Sequence, residues 1–170
     1  MLFESSLFWL TIYGYLGLIS GYFLTRISPE EMVPGKKYFK IGKVLVIFLI
    51  GFFTLYLGTA YCCGLRLIVP LLFGLILGMF FKKIYFVFGF GIVFASGNFA
   101  TIFASLIFLF GMFEASFNYD KNYLFNSSMF YLLPALIILS FDFQRFIPSN
   151  VVLAVVSGYA LSYAYKSLKN

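Results

Sequence analysis

Asn98, Thr101 and Ser105 stand at i, i+3 and i+7 inside an apolar run that no charge interrupts from Ile84 to Phe113. On a helix that spacing aligns one polar stripe, and Gly97, Thr101 and Ser105 form an edge of small residues beside it. Ser96 and Gly97 precede Asn98, so a glycine and an amide meet near the middle of the run. A helix of roughly 30 residues would be about 45 Å long, against a hydrocarbon core of about 30 Å. The excess has two readings. In one, the helix breaks near Gly97, and the freed backbone groups with Ser96, Asn98, Thr101 and Ser105 bind a neutral or weakly charged solute. In the other, a long tilted helix kinks there and Asn98 bonds to a neighbouring helix.

The remaining polar residues gather at the margins of apolar runs. Lys36, Lys37, Lys40 and Lys43 interleave with Tyr38 and Phe39. That pattern suits capture of anionic lipid headgroups, and equally the anchoring of a helix end at a membrane surface. Asp142 and Arg145, three residues apart, read as an interface ion pair that closes a helix ahead of Pro148. Asn126-Ser127-Ser128 fits a glycosylation sequon, but at the mouth of a helix these residues serve as caps. Cys62 and Cys63 are adjacent, which defeats ordinary disulfide geometry between them, and they read as small buried hydrophobes. With no His in the chain, no zinc or other metal site is expected, and no motif calls for a cofactor. The 6 carboxylates fall mostly at span margins. Without clustered acids, bases and nucleophiles the chain reads as a non-enzyme, and without a carboxylate in mid-span it does not read as a proton-coupled or cation pump.

These residues need a scaffold, and composition names its solvent. The chain has 170 residues, 62% hydrophobic and 11% charged, with a mean hydropathy of +0.99. A water-soluble domain carries roughly 25% charged residues, so this one lacks the polar surface to face water. The fold class expected is all-α: a single polytopic membrane helical bundle over residues 1–170. Lengths of apolar run predict about six transmembrane helices, near 7–24, 44–60, 67–81, 84–113, 128–141 and 148–165, the fourth over-long. Ser28-Pro29-Glu30-Glu31 starts a short interfacial helix, which Pro34-Gly35 then ends. Glu114 to Ser127 reads as a loop lying on the outer membrane surface.

Net charge is +6, and its distribution suits membrane orientation better than nucleic-acid binding. Arg26 and Lys36 to Lys43 in the first loop, Lys82 and Lys83 in the third and Arg145 in the fifth point to the cytoplasm. Both termini then lie outside, with Lys166 and Lys169 running against the rule, and a five-span alternative would bring those two lysines inside. The cell membrane is the expected location, with anionic lipids on the cytoplasmic side as partners. Gly17 and Gly21, Gly74 and Gly78, and Ala154, Gly158 and Ser162 allow helix backbones to approach closely, within one chain, in a homo-oligomer or against partner membrane subunits. Two functions fit: a small permease or channel for a neutral or weakly charged solute, or a non-catalytic structural or assembly subunit of a larger membrane complex.

Overall fold

The computed structural model describes residues 2–60, 65–81, 83–95, 98–117, 121–141 and 147–169. Among these, seven helices and no strand form: α1 (Leu2–Ile27), α2 (Pro29–Ala60), α3 (Leu65–Phe80), α4 (Ile84–Phe94), α5 (Asn98–Phe117), α6 (Lys121–Phe141) and α7 (Ser149–Lys169). Four stretches are long and apolar enough to cross a membrane: Ser6–Ile27, Pro34–Thr59, Asn98–Phe117 and Ser149–Lys169. Large apolar side chains such as Trp9, Phe52, Val69, Phe73 and Phe80 cover the outside of the bundle. Contiguous exposed apolar surface of that kind fits lipid rather than water.

Pro29 follows Ser28 at the first position of α2, as the local sequence predicts. The expected stop at Pro34-Gly35 does not occur, and α2 runs on through Pro34 to Ala60. Proline so close to a helix start forfeits only one amide bond, to the carbonyl of Glu30, and the chain tolerates the loss. Lys36, Lys37, Lys40 and Lys43 therefore stand on α2 itself.

The expected fourth span, 84–113, is two helices. α4 ends at Phe94, and Ala95 is extended, with φ −75° and ψ 133°. Ser96 and Gly97 lie outside the described residues, and α5 begins at Asn98. The two helices run antiparallel. Ring centroids of Tyr85 and Phe110 lie 5.6 Å apart, those of Phe88 and Phe110 5.2 Å, and those of Phe88 and Phe103 6.3 Å. With 11 residues, α4 is about 16 Å long, roughly half a hydrocarbon core. Its apolar residues show no single face because nearly every side is covered, by α5, α6, α7 and α1.

Close contacts fix the helix directions. Gly17 and Gly21 of α1 meet the backbone of α5 at Phe108 and Met112, so those helices run parallel. Gly74 and Gly78 of α3 meet α7 at Val155 and Ser162, also parallel. Gly51 and Gly58 of α2 meet α7 at Leu161 and Asn150, antiparallel, and the Ser157 hydroxyl donates to the Gly51 carbonyl at 2.7 Å. Direction alternates from α1 through α7. The start of α1 and the end of α7 consequently lie at opposite ends of the bundle. The small-residue edges thus pack within a single chain.

The expected loop from Glu114 to Ser127 is mostly helix, since α5 continues to Phe117 and α6 starts at Lys121. Ser127 and Ser128 are buried inside α6, and the Ser128 hydroxyl donates to the Leu124 carbonyl at 2.6 Å, so they do not cap a helix.

A Cβ at position 74 would collide with the Val155 carbonyl, whereas at Gly58 the nearest atom is 3.5 Å away. Gly74→Ala should destabilise the protein by about 1–3 kcal/mol through overpacking. Gly58→Ala should be neutral or stabilise by up to about 1 kcal/mol. Equilibrium unfolding in detergent micelles checks both.

Candidate functional site

One end of the bundle gathers the starts of α2, α4 and α6 and the last turns of α3, α5 and α7. Gly42 of α2 admits the Phe113 ring, to which an added Cβ would come within 2.9 Å, and Phe39 packs edge-on against the same ring at 5.9 Å. This packing sets the next residue of each helix face to face. Lys43 Nζ and Glu114 Oε2 are 2.5 Å apart, with the Lys43 side chain 16% exposed and Glu114 3%. Tyr123 of α6 donates its hydroxyl to Glu114 Oε1 at 2.9 Å. Lys43 also lies over the Tyr163 ring of α7, 5.6 Å from its centroid.

A carboxylate taken out of water costs several kcal/mol, and it persists when a cation and further hydrogen bonds satisfy both oxygens. Glu114 meets that condition through Lys43 and Tyr123, drawn from two other helices.

Two cavities flank the pair. The larger, about 540 Å³, is lined by Lys40, Lys43, Phe81, Phe117, Tyr163, Lys166 and Ser167. The smaller, about 400 Å³, is lined by residues that include Lys83, Tyr85, Glu114, Tyr123, Asn126 and Tyr163. The buried Tyr85 hydroxyl lies near Tyr123. Lys166 donates to the carbonyls of Gly78, at 3.1 Å, and Met79, and the Tyr159 hydroxyl donates to Phe81 O at 3.0 Å. These donors close the C-terminal end of α3, where unpaired carbonyls carry partial negative charge. Lys83 lies 4.6 Å from the Phe130 ring centroid. Lysines on the cavity walls outnumber the single carboxylate, so the pair and its cavities form a polar, electropositive vestibule. Among the described residues no group of His, Cys, Asp and Glu is large enough to hold a metal ion.

The polar stripe lies elsewhere. Asn98 and Thr101 are exposed on the outer face of α5, near the opposite end, and the half-buried Ser105 donates its hydroxyl to Thr101 O at 2.9 Å. None of the three lines either cavity. Ser96, Gly97, Asp142 and Arg145 lie outside the described residues, as do Cys62 and Cys63. Of the four lysines, Lys36, Lys37 and Lys40 are exposed along α2, and Lys43 turns inward.

Sequence reasoning placed Glu114 in a loop, and Tyr85, Tyr123, Tyr163 and Lys166 in no site. One signal was present. Ile107, Phe110, Gly111 and Glu114 follow i, i+3, i+4, i+7, which places Glu114 on the buried face of α5. No protein-family model, curated protein or solved structure matches this chain.

Lys43→Gln removes the cation beside the buried Glu114 carboxylate and should cost about 3–5 kcal/mol of unfolding free energy. The double variant Lys43→Gln with Glu114→Gln should regain most of that loss. A double-mutant cycle in micelles measures the coupling, and an additive result would remove the ion pair from this account.

Proposed function

We propose that this chain is a multi-pass integral membrane protein of the cell membrane that acts as a small permease for a neutral or weakly charged solute. The observation that carries the reading is the buried Lys43–Glu114 pair. It sits between two cavities, inside helices long and apolar enough to cross a membrane. Buried ionisable groups at the end of spanning helices are costly, and such groups fit the entrance of a solute pathway. The half-length α4, buried and reversed into α5, adds support, because interrupted helices present backbone groups to solutes. The vestibule is the entrance in this reading.

Orientation follows from charge. Arg26, Lys36, Lys37, Lys40 and Lys43 stand at the vestibule end, with Lys83 ahead of α4, Lys121 at the start of α6, and Lys166 and Lys169 ending α7. At the other end, Arg66 is the only Lys or Arg among the described residues. The positive-inside rule therefore makes the vestibule cytoplasmic, the C-terminus cytoplasmic and the N-terminus external.

A second reading, as a subunit of a larger complex or a homo-oligomer, draws on Asn98 and Thr101. Polar side chains on an outer helix face gain hydrogen bonds when a partner helix covers them.

A fluorescent protein fused to the C-terminus should mature inside intact cells, while a tag at the N-terminus should be open to external protease. Both ends on one side would refute this topology. Proteoliposomes challenged with small neutral solutes should swell faster than empty vesicles, and the doubly neutral Lys43→Gln, Glu114→Gln variant should change that rate. Swelling no faster than empty vesicles, with an assembly that Asn98→Leu dissociates, would transfer the assignment to the second reading.

A further inference from the structure

We infer that the 540 Å³ cavity is a binding site for an anionic phosphate group, held by Lys40, Lys43 and Lys166. Three lysines from two helices line one concavity, and its other walls are mostly aromatic, Phe81, Phe117 and Tyr163. Each ammonium carries three donors. Lys166 directs bonds at two carbonyls of α3, and Lys43 meets one oxygen of Glu114, so both retain donor capacity toward the cavity. Lys40 is exposed one turn from Lys43 on α2, and Ser167 adds a hydroxyl.

Among the described residues that line the two cavities, the only carboxylate is Glu114, which lines the smaller one. The field inside the larger cavity is therefore positive, and it excludes cations. A phosphate group, with several acceptor oxygens at tetrahedral spacing, satisfies donors arriving from separate helices better than a single-point acceptor does. Aromatic walls below a basic rim also match the junction between a phospholipid headgroup and its chains. Basic pockets between helices on the cytoplasmic side take anionic headgroups in this way. The inference rests on the proposed orientation only in bringing this end to the headgroup layer, and it is independent of whether solute crosses.

The test uses the full chain in neutral detergent micelles and isothermal titration with two probes, inorganic phosphate and phosphatidylglycerol in mixed micelles. Saturable binding of phosphatidylglycerol alone identifies a lipid headgroup. Saturable binding of inorganic phosphate identifies a free anion, and either result supports a phosphate site. Lys40→Gln should weaken binding about tenfold, the loss of one charge-assisted bond. Lys169→Gln, which removes the same charge at the same end outside the cavity, should change it less than about twofold. Glu114→Gln, which releases Lys43, should tighten binding, a sign that damage to the fold would not produce. No saturable binding of either probe, or equal losses in Lys40→Gln and Lys169→Gln, would overturn the inference. Solute flux without phosphate binding removes this site alone, and phosphate binding without flux removes the permease reading alone.

Discussion

The contact of α1 with α5 at Gly17 and Gly21 sets the direction from which the rest of the architecture follows. In lipid there is no hydrophobic drive between helices, and close backbone approach at small residues supplies the packing instead. That contact aligns α5 parallel to α1. Since α4 lies antiparallel to α5, the chain between Phe94 and Asn98 has to reverse rather than continue. The reversal returns Glu114 to the end of the bundle that holds Lys43, and it carries the start of α6 and the last turn of α7 to that end as well. Had the run from Ile84 to Phe113 crossed once, Glu114 and Lys43 would lie about 30 Å apart, the thickness of a hydrocarbon core.

The charge distribution is the second consequence. Lysines scattered through the sequence collect at one end of the fold, and one carboxylate is buried among them. A salt bridge in such surroundings adds little net stability over an apolar replacement, because desolvation opposes the Coulomb attraction. Its value here lies in registry and in function: Lys43 and Glu114 oppose each other only when Gly42 and Phe113 are packed, and the pair divides the space at this end into two cavities. Lys166 and Tyr159 contribute differently, by satisfying carbonyls at the end of α3, whose 16 residues make it shorter than a full crossing helix.

Parts of this were legible in residue order. The excess length of the fourth apolar run, with a glycine at its centre, raised the interruption as one of two readings, because a helix that long must either break or tilt and kink to fit a bilayer. The spacing of Gly17 with Gly21 and of Gly74 with Gly78 marked the faces that meet. The stripe of Asn98, Thr101 and Ser105 was legible as a stripe, but periodicity says which residues share a face and not whether that face turns inward. Ser105 bonds to its own helix, and Asn98 and Thr101 face outward.

Composition and run length, then, determined by themselves that this chain is helical and apolar and that its fourth apolar run exceeds one upright crossing, since backbone hydrogen bonding and burial act locally along a run of residues. Tertiary structure alone decided that α4 and α5 fold back as a pair, that Glu114 meets Lys43 and Tyr123, and that the lysines of three segments line a common vestibule. Those outcomes depend on which helix faces approach most closely, and the shapes of side chains from distant parts of the chain settle that choice.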